Sequence, residues 1–124
     1  MNDMEMRELD AWIAEYVFGW NRQRFNNGHV RHNILVPEKF RADKYRKHGW
    51  NKGVELIDNF PHYTTDPAAA MDVLEKCAIK SGYGLTVIPQ SNGMWFACSN
   101  YANEAFGETL NIAICLLAKK LFTK

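Results

Sequence analysis

No run of about 18 apolar residues, the length a helix needs to cross a bilayer, occurs in the sequence, so neither a membrane span nor a membrane partner is expected. Cysteine is scarce: Cys77, Cys98 and Cys115 stand far apart, each inside an apolar pattern. An odd, scattered set excludes a disulfide framework and points to reduced, buried thiols, as in a cytosolic protein. Buried thiols make poor nucleophiles. There is no Gly-rich phosphate loop and no serine or aspartate in a recognisable elbow, and Asp72 with Glu75 reads as surface charge on one helix. A catalytic set is therefore not expected. The "HVRH" stretch puts His29 and His32 three apart, with His48 further on, but no Cys pair or acidic cluster joins them. A structural zinc site needs four ligands at tight spacing, so neither a metal nor another cofactor is expected. The opening "MNDMEMRELD" is acidic and has no apolar stretch behind basic residues, which is not the pattern of a secretory signal.

What is present is material for a core. The chain has 124 residues, 47% of them hydrophobic and four of them Trp. Disordered chains lack such a composition, and it suits one domain over residues 1–124. The net charge of +1 conceals a strong asymmetry. Residues 1–20 carry −4, residues 21–53 carry +7 and the remainder carries −2. The middle of the chain is thus a basic block, with three of the four histidines in it.

Apolar spacing then locates the elements. Leu9, Trp12, Ile13, Tyr16, Val17 and Trp20 recur at three and four residues and predict a helix over 5–20, with Gly19 near its C-terminus. Residues 21–60 read as a basic insertion or loop. Within it "NRQRFNNGHVRHN" is polar and reads as loop, "ILVP" as a short strand stopped by Pro37, and "VELIDNF" as another. Residues 65–80 give the clearest helix: Thr65 is the expected N-cap, Asp66 and Pro67 lie in the first turn, and Ala70, Val73, Leu74, Cys77 and Ala78 form its buried face. "YGLTVIP" and "MWFACS" predict a hairpin about the turn "QSNG", with Tyr83, Leu85 and Val87 on one side of the first strand. In the second, Met94, Phe96 and Cys98 oppose Trp95 and Ala97. A last helix is expected over 105–122, with a core stripe of Leu110, Ala113, Ile114, Leu117, Ala118 and Leu121. Ile112, Leu116 and Phe122 widen that stripe, which implies deep burial or a partner.

Two places have the chemistry to hold a ligand. The front of helix 65–80 offers backbone N–H groups and a positive partial charge to a phosphate or carboxylate. Thr64 and Thr65 add hydroxyls, His62 and Tyr63 add rings, and three alanines leave room. Ordinary capping by Asp66 explains the same residues without a ligand. In the basic block, Arg22, Arg24, Arg46 and their neighbours alternate with Phe25, Phe40, Tyr45 and Trp50, a mixture suited to phosphate contacts and base stacking. A solvated loop with aromatics covering the core explains it equally. The candidate ligand site joins both places: Trp20, Arg22, Arg24, Tyr45, Arg46, Trp50, His62, Tyr63, Thr64, Thr65 and Asp66. The expected ligand is a small anion resembling a nucleotide, bound without catalysis. The alternatives are a homo-oligomeric or host-protein interaction module, using the last helix and Trp95, and nucleic-acid binding. A sequence pI near 7.7 argues against a dedicated duplex binder.

The stretch "YTTDPAAAMDVLEKC" resembles the Tyr-Ser-Thr-Asp-x-Ala-Ala-Ala-x-x-Val-x-Glu-Lys pattern of the phage ABA sandwich domain, a family of small proteins from bacteriophages and prophages. "RELDAWIAEYVFGW" is similar to that family's first helix, which closes on a Gly-Trp pair, here Gly19 and Trp20. "NIAICLLAKKLF" is similar to its closing helix. The resemblance covers roughly residues 7–20 and 60–122 and leaves the basic block without a counterpart. It implies an α+β fold, a three-layer α/β/α sandwich with a small, mainly antiparallel sheet between helices, in a protein of the bacterial host cytoplasm. It implies no reaction.

Overall fold

The structure is a computed structural model, and it describes residues 1–26, 31–36, 60–99 and 103–123. The expected strand at "VELIDNF" and the aromatics Phe40, Tyr45 and Trp50 lie outside the described residues, apart from Phe60.

Helix α1 runs from Asp3 to Tyr16, and Asn2 caps it by accepting a hydrogen bond from the Glu5 amide at 2.8 Å. It stops short of the expected residue 20. Gly19 takes φ +74°, a left-handed conformation that side chains disfavour, and the Trp20 amide folds back to the Ala14 carbonyl at 2.9 Å. The Gly-Trp pair therefore turns the chain instead of extending the helix.

The next segment corrects the expectation of a loop over "NRQRFNNGHVRHN" and bears out a strand ending before Pro37. Strands β1 (Asn21–Asn26) and β2 (Arg31–Val36) pair antiparallel in a two-stranded sheet. Their alternation is hard to see in sequence because only Phe25, Ile34 and Val36 carry it on one side, among polar residues.

Helix α2 spans Pro67–Lys80, and its N-cap is Asp66, one residue later than expected. Pro67 explains the shift: its ring sets the first helical residue and it has no N–H to satisfy. The Asp66 carboxylate accepts from the Ala68 amide at 3.1 Å. Strands β3 (Leu85–Pro89) and β4 (Trp95–Ser99) form the expected hairpin, with Gly93 at φ +83° in the turn. Tyr83 falls outside β3, exposed and at φ +66°. A third strand, β5 (Glu104–Gly107), pairs with β4 where the sequence predicts the start of the last helix. Helix α3 begins only at Leu110 and runs to Phe122, with the Thr109 hydroxyl accepting from the Ile112 amide at 3.2 Å.

The sheet order is β3-β4-β5, all antiparallel. Its inner face brings Ala97 and Ala105 against Ala113 and Leu117 of α3. On the other side of α3, Ile114, Cys115 and Ala118 pack with Leu9 and Ile13 of α1 and with Ala70, Val73 and Cys77 of α2. Helix α3 is thus covered by the sheet on one side and by two helices on the other, which accounts for its wide apolar stripe. Trp95 and Leu116, expected at a partner surface, pack against this interior. The outer face of the sheet carries Ile88, Phe96 and Phe106, the two rings tilted with centroids 4.9 Å apart. Cys98 is on that face and half-buried, whereas Cys77 and Cys115 are buried as expected; all three are free thiols. The α+β class and the antiparallel sheet agree with the sequence expectation.

Candidate anion-binding site

The front of α2 is built around a buried carboxylate. Asp10, 1% exposed, lies on the face of α1 turned to the chain before α2. Its Oδ1 accepts from the Thr64 amide at 2.8 Å, and its Oδ2 accepts from Nη1 of Arg7 at 2.9 Å. Arg7 also donates to the carbonyls of Phe60 and Pro61, and its guanidinium lies 3.9 Å from the centre of the Phe60 ring. A carboxylate with both oxygens paired is one a protein can bury.

These contacts decide what the helix front can bind. The Thr64 amide serves Asp10, the amides of Thr65 and Asp66 both donate to the His62 carbonyl, and the Ala68 amide serves Asp66. Pro67 has no N–H. The chain's own acceptors therefore occupy the Thr64, Thr65, Asp66 and Ala68 amides, most of the donors that an incoming phosphate would use. A cavity of about 210 Å³ does open beside them, lined by Asp3, Met6, Arg7, Asp10, His62, Thr64 and Thr65. The Thr64 hydroxyl beneath it is buried without a hydrogen-bond partner. The cavity wall holds Asp3 and the Arg7–Asp10 pair, a formal charge of −1, so it offers an anion no net attraction.

Tyr63 was expected to be an aromatic wall of the ligand site. It is a core residue, 3% exposed, stacked on Phe18 at 5.2 Å with the rings 2° from parallel. Burial, and after it the charges of Asp72 and Asp10, hold its hydroxyl above the usual tyrosine range. Trp20 is half-buried against the same core, while His62, Thr65 and Asp66 are exposed. Tyr45, Arg46 and Trp50 lie outside the described residues.

Arg22 and Arg24 sit in β1. The register sets Arg22 opposite Leu35, Arg24 opposite Asn33 and Asn26 opposite Arg31. Opposed residues and residues two apart share a face of a β-ribbon. The register therefore brings Arg22, Arg24 and Arg31 to one face together with Asn26 and Asn33. Arg31 belongs to the basic block of the sequence but not to the candidate ligand site drawn from it. Its signal was the alternation through "RHNILV", which places Arg31, Asn33 and Leu35 on one side and His32, Ile34 and Val36 on the other.

The family model of the phage ABA sandwich domain matches residues 11–118. The chain belongs to this family. An ABA sandwich is a sheet between helical layers; the described residues supply the sheet, α3 on its inner face, and α1 and α2 beyond α3. As a phage ABA sandwich protein the chain inherits an architecture and a phage origin, with no activity attached to either. No curated protein and no solved structure matches it. Among the described residues no helix is long and apolar enough to cross a membrane, and no three His, Cys, Asp or Glu residues are grouped to hold a metal ion.

Proposed function

We propose that this phage ABA sandwich protein is a non-catalytic binder of a phosphate-bearing ligand, held by the arginine face of the β1–β2 ribbon. One observation carries the reading: the register that aligns Arg22, Arg24 and Arg31 on a single face. Arginine presents several donors in a fixed planar fork and pairs with phosphate oxygens two at a time. The alternative anion site, the front of α2, is disfavoured by its occupied amides and acidic wall. A catalytic role gains no support from the buried thiols: burial pushes the Cys77 thiol up to about 12, far from a reactive thiolate.

The test is thermal unfolding with a panel of nucleoside phosphates, cyclic dinucleotides, pyrophosphate and short oligonucleotides. A ligand at about ten times its Kd stabilises by roughly 1.4 kcal/mol, which raises Tm by about 5 °C for a chain of this size. The reading expects such a rise from at least one phosphate ligand, and its loss in the Arg22→Gln/Arg24→Gln/Arg31→Gln variant. A flat response across the panel overturns it. A homo-oligomeric role is the second reading. Its surface is the outer face of the β3-β4-β5 sheet, where Ile88 and Phe106 are 43% and 51% exposed, and light scattering on the same sample reports it.

A further inference from the structure

We propose that the arginine face of the β1–β2 ribbon grips the phosphodiester backbone of a nucleic acid. The inference rests on the phosphate-binding reading above and narrows it from any phosphate to a polymer.

The spacing carries it. Arg22 and Arg24 are two residues apart on β1, and Arg31 stands on β2 opposite Asn26, two residues beyond Arg24. Two antiparallel rises measure about 6.8 Å. The three cations therefore occupy equal steps of about 6.8 Å along the ribbon axis, a line about 14 Å long. A line of evenly stepped cations matches a chain of evenly repeated phosphates. The contiguous phosphates of one nucleotide would engage one or two of the three positions and leave the rest unused. Asn26 and Asn33 take register positions on the same face.

The other face makes the ribbon one-sided. It holds the register positions of Phe25, Ile34 and Val36, with Asn21, Gln23 and His32, while the arginine face has one apolar position, Leu35. The more apolar face of a ribbon is the one suited to packing, and β2 runs beside α1. The charge balance agrees: residues 21–53 carry +7 in a chain of net charge +1. Attraction is thus concentrated on one segment while the rest of the molecule is neutral or acidic.

Fluorescence anisotropy with a short labelled single strand, the corresponding duplex, ADP and polyglutamate tests this. Three displaced phosphate counterions give a log–log salt slope of about −2 on a single strand and about −3 on a duplex. Affinity should therefore fall roughly 20- to 40-fold between 50 and 200 mM salt. Whichever polynucleotide shows this slope identifies the source of the backbone. Arg22→Gln/Arg24→Gln/Arg31→Gln should remove the slope, and Lys at the same three positions should keep it. Lys76→Gln/Lys80→Gln/Lys119→Gln, on the helices, should leave it unchanged. ADP binding as tightly as the strand overturns the polymer inference and leaves the phosphate reading standing; no binding to any phosphate overturns both. Equal binding of polyglutamate, or equal loss in the lysine variant, also overturns the inference by reducing the effect to general charge.

Discussion

Asp10 shows how much one side chain decides here. Its carboxylate is buried, yet it fixes the chain before α2 through the Thr64 amide and takes the Arg7 guanidinium on its other oxygen. Replacing it with alanine strands a buried N–H and leaves a half-buried arginine without its counter-charge. Removing one partner of a buried pair costs far more than the pair itself contributes. Because the Arg7 side chain keeps 23% of its exposure, water recovers part of the loss. The expected cost of Asp10→Ala is about 3 kcal/mol, read as a lower denaturant midpoint with an unchanged slope. The same carboxylate occupies the Thr64 amide, so the residue that stabilises this corner also takes a donor from any phosphate at the helix front.

At the scale of elements, β5 and α3 meet at a single tight point. A Cβ on Gly107 would lie 2.3 Å from the Ala113 backbone nitrogen and 2.8 Å from its Cα. Backbone cannot swing aside as a side chain does, so Gly107→Ala must push the strand off the helix. The expected destabilisation is about 2 kcal/mol or more, measured by chemical unfolding. This contact also explains why the sequence misleads at β5. Ala105 and Phe106 continue the apolar spacing of α3 backward, and nothing in a one-dimensional pattern says that the chain reverses between them and Leu110. The glycine and the Thr109 cap were the available signals. The helices α1 and α2 were legible because their stripes are long and their caps conventional. Of the β1–β2 ribbon only the end of β2, the "ILV" before Pro37, was legible, because polar residues outnumber the apolar ones that reveal a two-residue period. The candidate site suffered from the same cause: Arg22 and Arg24 were chosen for their charge, while Arg31 joins them only once register is known. Tyr63 was misjudged because an aromatic before a helix looks alike in sequence whether it lines a pocket or fills a core.

For the whole molecule, the interior sets the response to alkali. Burial raises the Cys77 thiol from 9.0 to about 12, and it raises Cys115 and the Tyr63 hydroxyl as well. Each of these groups holds its proton more tightly in the native protein than in the unfolded chain. Their contribution to stability is complete below the unfolded value and is lost as pH rises through the native one, since unfolding then releases protons. Unfolding in the presence of reductant should therefore show a free energy that is level near neutrality. It should decline from about pH 9 towards 12, and less steeply in Cys77→Ala. A decline that begins below pH 8 would contradict this account. The arrangement of the core has a temporal side too. Helices α1 and α2 and the β3-β4-β5 sheet all lean on α3, and α3 follows them along the chain. While the polypeptide is being made, α1, α2 and the sheet emerge from the ribosome with their apolar sides unmatched, and they wait for some 13 residues to arrive before any of them has its principal neighbour. Packing of these layers is thus postponed until α3 has been made, when a single helix closes both sides at once.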